Sequence, residues 1–250
     1  VKLATWNLES SRSLSPERAA AFREAIKEVD ADVWVLTETC ARFSPGDQYH
    51  LVAQSGPATD LKASSDRRWV SIWSRFDGSP LEIQIQTDRM ACVLLQEPNG
   101  RDTLIVGTLL PWLSDSLWPG AKGFCDALGE QVDEWTRLNA MHPGSDLVVA
   151  GDLNQSLPYQ QYYGSIAGAS ALSDALRTRG LLCQTEGSDP STSKPRIDHL
   201  CIRRSMVDTT AKPAVESWPV PCIQGRPISD HAGVSIHLNP PTNERQETVQ

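Results

Sequence analysis

No apolar run in this sequence approaches the roughly 20 residues that a helix needs to cross a bilayer. A helical membrane span is therefore not expected. A long basic run is also missing, and the formal net charge is −8. Proteins held mainly by nucleic-acid phosphates carry a basic face. Here only Arg67-Arg68, Lys194 with Arg196, and Arg203-Arg204 form small clusters, read as solvated surface. Strong binding to duplex DNA is not expected. The six cysteines, Cys40, Cys92, Cys125, Cys183, Cys201 and Cys222, include no Cys-x-x-Cys pair, so a zinc knuckle or thioredoxin-type motif has no support. Cys40, Cys92 and Cys201 lie in or beside apolar runs and read as buried free thiols. The even count leaves disulfides open. A secretory signal is not visible ahead of the first strand, which favours a cytoplasmic location. No composition break, linker or repeat divides the chain before Asn239.

What is present suits a soluble globular protein with a sizeable core: 40% hydrophobic and 22% charged residues over 250 positions. Lys2 to Asn7 alternates as a strand does. Ser15-Pro16-Glu17 starts a helix with a capping hydroxyl, a proline at the first helical position and an early acid. Phe22, Ala25, Ile26 and Val29 continue it at helical spacing. Val33 to Leu36 reads as a strand covered on both faces. Residues 41–68 read as a long surface loop. Trp69–Trp73, Ala91–Leu95 and Leu104–Leu110 read as strands, the last two joined by an Asn99-Gly100 hairpin turn. A long helix with Phe124, Leu128, Val132, Trp135, Leu138 and Met141 on one face precedes a strand from Asp146 to Ala150. Ser170 to Thr178 reads as a helix stopped by Gly180. Strands at Ile197–Ile202 and Ala232–Leu238 complete one α/β domain over residues 1–238, with mixed sheets covered by helices. A Pro-rich polar tail, 239–250, is expected to be flexible.

Five polar blocks stand at the ends or starts of these apolar runs: Thr5-Trp6-Asn7-Leu8, Leu36-Thr37-Glu38-Thr39, Gly151-Asp152-Leu153-Asn154, Arg196-Ile197-Asp198-His199 and Ser229-Asp230-His231. Strand ends are where a rigid scaffold presents polar groups to a shared cleft. Converged, they hold four carboxylates, two carboxamides and an imidazole. Clustered carboxylates repel one another unless a cation neutralises them. The carboxylate-rich inventory suits a hard ion such as Mg²⁺ or Mn²⁺, which prefers oxygen ligands, and suits hydrolysis of a phosphate ester.

In their order and spread from Thr5 to His231, these blocks resemble the endonuclease/exonuclease/phosphatase superfamily, which includes apurinic endonucleases, pancreatic-type deoxyribonuclease, inositol polyphosphate 5-phosphatases and neutral sphingomyelinases. The resemblance implies a four-layer α/β sandwich of two packed mixed β-sheets flanked by helices, with the site at one edge. It implies Glu38 as the principal metal ligand, with Asp230 completing the metal site. Asn7 would neighbour the metal or phosphate. Asp152 would orient or deprotonate the attacking water, held by Asn154. His231 would contact the phosphate or act as base, its tautomer fixed by Asp198. Between Asp152 and His231 the proton acceptor stays open. One departure stands at Leu109, where many relatives carry a histidine or tyrosine that binds phosphate or protonates the leaving group; leucine does neither.

Trp112 and Trp118 follow that departure, placed to stack on bases, to touch lipid or to pack on the sheet edge. Arg12, Arg68, Arg196 and Arg226 are candidates to reach a phosphate, Arg226 foremost because it lies just before Asp230. The expected activity is Mg²⁺- or Mn²⁺-dependent hydrolysis of a phosphate ester in a nucleic acid or small molecule, nuclease-like phosphodiester cleavage first. Alternatives are a small-molecule or lipid-headgroup phosphoesterase of the same fold, and a non-catalytic binding module. The last has no physical need of four clustered carboxylates. A monomer is the default.

Overall fold

The computed structural model describes residues 1–9, 14–59, 65–160, 162–190, 192–207 and 213–238. In chain order, β1 (Lys2–Asn7), α1 (Pro16–Val29), β2 (Val33–Cys40), β3 (His50–Gln54), β4 (Arg67–Ser74), β5 (Gly78–Pro80), β6 (Met90–Gln96) and β7 (Asp102–Leu109) make the first half. Then come α2 (Gly120–Met141), β8 (Asp146–Asp152), α3 (Ile166–Thr178), β9 (Leu181–Cys183), β10 (Asp198–Arg203), β11 (Val215–Ser217), β12 (Cys222–Ile223), β13 (Arg226–Pro227) and β14 (Val234–His237). One sheet has the order β11-β14-β1-β2-β4-β3 and the other β5-β6-β7-β8-β10-β9, while β12 and β13 form a short ribbon. Parallel pairing is confined to β1–β2 and β7–β8 among the described pairs, and each is bridged by a helix, α1 and α2, as a parallel connection requires.

Side-chain alternation builds the layers. Leu3, Val33, Val35 and Ile72 of the first sheet meet Ile105, Val148, Ala150 and Leu200 of the second in a core between the sheets. The opposite face of the first sheet puts Ala4, Trp6, Trp34 and Leu36 against Phe22 and Ile26 of α1. The outer face of the second puts Val106, Val149 and Cys201 against Phe124 and Trp135 of α2 and Leu172 of α3. The result is a four-layer α/β sandwich. Each fully buried large side chain contributes roughly 1.5–3 kcal/mol, so the sheets are held rigidly enough to fix groups at their edges.

α1 begins as its sequence dictates: Ser15 caps it by accepting from the Arg18 amide, with Pro16 in the first turn. Gly100, at φ 81, turns the β6–β7 hairpin. Several details differ from the pattern in the sequence, the short strands β5, β9 and β11–β13 among them. Residues 41–68 are not all loop, because β3 pairs with β4 there, and Arg67 and Arg68 open β4. β3 is an edge strand burying only Val52 and Ala53, too little apolar signal to stand out. α3 starts earlier, at Ile166, capped by Ser165; its first turn buries only the small Gly168 and Ala169, which mark no apolar stripe in the sequence. Met141, in the last turn of α2, is 60% exposed and leaves the buried face to the residues before it. Arg12 and the tail 239–250 lie outside the described residues. No helix among the described residues is long and apolar enough to cross a membrane.

Candidate active site

Alternation carries three of the polar residues to one place. Asn7 continues the inward face of β1 after Leu3, Asp152 that of β8 after Val148 and Ala150, and Asp198 that of β10 before Leu200. β1 and β8 end, and β10 begins, at the same edge of the sandwich. Asp198 sits opposite Asp152 in the β8–β10 register. Buried Asn7 joins the sheets: its Nδ2 donates to Glu38 Oε1 at 3.1 Å and to Asp152 Oδ2 at 3.0 Å.

Glu38 breaks the alternation of β2. Leu36 faces α1, and Glu38 at regular spacing would follow it. Its φ of 45 is in the left-handed region, costly for a non-glycine residue. The turned side chain instead meets Asn7 and Arg67, whose Nη2 lies 3.2 Å from Glu38 Oε2. Asn154, at φ 50, makes a second such turn. Its amide donates to Asp152 Oδ1 at 3.0 Å and its side chain to the Leu110 carbonyl at 2.8 Å. Gly151 precedes Asp152 at φ 138, and a Cβ there would stand 1.9 Å from the Thr108 carbonyl oxygen. Gly151→Ala is expected to cost about 3 kcal/mol or more in urea unfolding; a loss under about 0.5 kcal/mol would show that the β7–β8 edge adapts freely.

His231 sits in the connection between β13 and β14, which is tied down from several sides. Trp6 Nε1 donates to the His231 carbonyl at 2.8 Å, and the His231 amide donates to Ser229 Oγ at 3.1 Å. Ser229 Oγ donates to the Asn7 carbonyl at 2.8 Å. Buried Arg18 of α1 donates to the carbonyls of Leu8, Glu9 and Ile228. The imidazole Nδ1 lies 2.5 Å from Asp198 Oδ2, which leaves Nε2 facing outward, 3.8 Å from Asp230 Oδ1. Asp152, Asp198 and His231 each place a ligand-type atom within 4.8 Å of the others.

Burial foremost, with the nearby Asp198 and Glu38 charges, pushes the Asp152 carboxyl up to about 7, while His231 and the Asn154 amide pull the other way. For His231 burial opposes the charged form, but the charge and hydrogen bond of Asp198 outweigh it and hold the imidazole well above its ordinary range. Burial, with Asp152, Glu38 and Asp230 nearby, raises the Tyr163 phenol to about 12, so it stays a donor at neutral pH.

A recess of about 330 Å³ opens beside His231, walled by Tyr162, Tyr163, Lys194, Arg196, Asp198 and Asp230. Arg196 is the arginine that the fold brings to it. Arg226 is exposed and lines a different recess with Ser15 and Arg18. Arg68 donates to the Ser65 and Arg67 carbonyls. Trp112 is half-buried against Trp69, their ring centroids 5.8 Å apart, with the Arg89 guanidinium 5.5 Å from each ring. Its stacking partner is thus inside the protein. Leu109 is buried beside Asp152 in the β7–β8 register, and supplies no proton there. Arg18, Arg67 and Tyr163 were not singled out in the sequence as site residues; isolated cations and aromatics carry no motif. His199 alternates with Asp198 and is buried on the helix-covered face, away from the cleft.

The endonuclease/exonuclease/phosphatase family model matches residues 4–231. The chain belongs to the endonuclease/exonuclease/phosphatase family. Members of this family are phosphoesterase hydrolases, generally dependent on a divalent metal. A comparison with curated protein sequences finds no match. Among solved structures, the chain is similar to the AP endonuclease LMAP from Leishmania major at 15% identity and TM-score 0.67, covering 96% of this chain and 88% of that one. It is similar to the 3′ phosphatase NExo from Neisseria, bound to a product DNA hairpin, at 16% identity and TM-score 0.67, covering 95% and 99%. Truncated TDP2 from Caenorhabditis elegans is 17% identical with TM-score 0.64, covering 94% of this chain and 96% of that one. At these identities the likeness is one of fold.

Proposed function

We propose that this phosphoesterase is a Mg²⁺- or Mn²⁺-dependent, nuclease-like phosphodiesterase. The observation that carries the reading is one buried amide, Asn7, holding Glu38 and Asp152 together a strand's width from the Asp198–His231 pair. The donor set fits a hard divalent ion. Its oxygens come from carboxylates, and Asp198 Oδ1 is buried with no hydrogen-bond partner among the described residues. Glu38 would hold the ion with Asn7 beside it, and Asp230 would approach from the solvent side. When bound, the ion supplies positive charge to the phosphate oxygens and leaving group.

The protein's own groups do the rest. Asp152, near 7, accepts the proton of the attacking water. The Asn154 amide and Asn7 hold that carboxylate in one orientation. His231, kept protonated by Asp198, donates through Nε2 to a phosphate oxygen as charge builds. Both groups are raised, so near neutral pH the carboxyl can take a proton while the imidazole stays protonated and donates. Tyr163, Lys194 and Arg196 line the recess that would receive the flanking part of the substrate.

The names of two similar structures, an AP endonuclease and a 3′ phosphatase bound to DNA, favour a nucleic-acid phosphodiester. The net charge of −8 favours the second reading, a small-molecule or lipid-headgroup ester. The deciding experiment compares hydrolysis of bis(p-nitrophenyl) phosphate and p-nitrophenyl phosphate, with Mn²⁺ or Mg²⁺, for wild type and Glu38→Ala. Metal-dependent diester cleavage, reduced on the order of 10³-fold in the variant, is expected. Equal cleavage by both proteins would overturn the assignment, and cleavage of the monoester alone would make the protein a phosphatase.

A further inference from the structure

On the other face of β10, away from the cleft, Cys201 sits directly opposite Cys183 of β9. The next pair along the ladder is hydrogen-bonded, since the Gln184 amide donates to the Leu200 carbonyl at 2.9 Å. Cys183 and Cys201 therefore occupy a non-hydrogen-bonded position of an antiparallel ladder. Such positions bring the Cα atoms to about 4.5 Å, inside the roughly 4.4–6.8 Å that a disulfide spans, with both side chains on one face. Both cysteines are free thiols in this structure.

Their surroundings suit thiol chemistry. His199 Nε2 lies 2.9 Å from the Gln155 carbonyl, so that nitrogen carries the hydrogen and Nδ1 presents a lone pair. Nδ1 is 3.4 Å from Cys183 Sγ and 3.2 Å from Thr185 Oγ1. Cys183 is half-buried and lines a recess of about 320 Å³ between α3 and β9, whereas Cys201 is fully buried behind it. A hydrogen bond from Cys201, with His199 adding to it, holds the Cys183 thiol well below its usual range against the burial that opposes it. Cys201 is pushed the other way and stays a thiol.

We propose that Cys183 and Cys201 form a peroxide-reactive dithiol that closes into a cross-strand disulfide. The Cys183 proton passes to His199 Nδ1. The Cys183 sulfur then attacks one oxygen of hydrogen peroxide, the O–O bond breaks, and the departing hydroxide takes the proton from His199 and leaves as water. The product is the Cys183 sulfenic acid. Cys201 sulfur attacks that sulfur, the S–O bond breaks, and the hydroxyl leaves with the Cys201 proton as a second water. Overall, two thiols are oxidised and one peroxide is reduced. This step does not depend on the phosphodiesterase reading.

The test treats the full chain with hydrogen peroxide, blocks the remaining thiols, and maps peptides under non-reducing conditions by mass spectrometry. A Cys183–Cys201 linked peptide, two of the six thiols lost, and full reversal by dithiothreitol are expected. Cys201→Ser is expected to leave the Cys183 sulfenic acid trapped as its dimedone adduct. The proposal is overturned if both thiols stay unmodified at a peroxide concentration that oxidises exposed Cys222. It is equally overturned if Cys183 proceeds to sulfinic acid without linking to Cys201, or if the Cys201→Ser protein yields no adduct at Cys183.

Discussion

His231→Ala is expected to lower phosphodiester hydrolysis at neutral pH by on the order of 10³-fold or more, with metal-induced stabilisation retained. The argument is geometric. Nδ1 is committed to Asp198 at 2.5 Å, so Nε2 is the only ring donor available to a phosphate. The connection that carries it is fixed through Trp6 and Ser229 and, one step back, through Arg18 at the Ile228 carbonyl, so little binding energy is spent on ordering it. Removal of a preorganised, charged donor from a partly buried site costs more than removal of a neutral one in water. Asp198→Asn keeps the shape but frees the tautomer, and should fall between wild type and His231→Ala. In wild type with metal, kcat/KM should rise with pH as Asp152 ionises, its inflection below the metal-free value of about 7 because a bound cation favours the carboxylate. A His231→Ala protein within about tenfold of wild type would reassign the phosphate contact to Arg196 or Tyr163.

Strand alternation made half of this site legible in the sequence. Asn7, Asp152 and Asp198 each extend a run of apolar residues that must face the other sheet, so their placement follows once the strands are recognised. The same rule sends His199 to the opposite face. Other members of the site follow no such rule. Glu38 reaches the cleft only because its backbone adopts φ 45, which no spacing announces. Arg67 looks like surface charge beside Arg68 until β4 pairs with β2 and lays its guanidinium against Glu38 and, 4.2 Å away, over the Trp69 ring. For Trp112 the sequence leaves base stacking, lipid contact and packing on the sheet edge open, and the fold sets it against Trp69 with Arg89 over its ring, a contact across many residues of sequence. Arg226 is near Asp230 in sequence, but the β12–β13 ribbon turns it toward α1. Long-range pairing, rather than local pattern, decides these positions.

Without metal, the protein should lose stability as pH rises, and added Mn²⁺ or Mg²⁺ should reverse that loss. Asp152 titrates near 7 when folded and near 3.8 otherwise. Below about 4 both states hold the proton, so the group contributes nothing to the pH slope. Between about 4 and 7 the unfolded chain releases its proton first, and stability falls, by at most about 4 kcal/mol in all. His231, raised by Asp198, acts in the same direction: its contribution is complete below about 6.5 and is lost as pH climbs through its higher folded value. A divalent ion favours the ionised carboxyl, so it competes with the very proton that the buried site retains. At saturating metal, near 100 times Kd, the gain is about 2.7 kcal/mol, or about 5–10 °C in Tm for a chain of this size. Thermal melts at pH 5 and pH 8, in EDTA and in Mn²⁺, measure the difference. The metal-induced shift should be small at pH 5 and near its full value at pH 8. Asp152→Ala should flatten the EDTA curve between pH 5 and about 6.5, where Asp152 imposes the slope, and leave the His231 contribution above that. A metal-induced shift that is as large at pH 5 as at pH 8 would place the ion away from Asp152, on groups already ionised in acid.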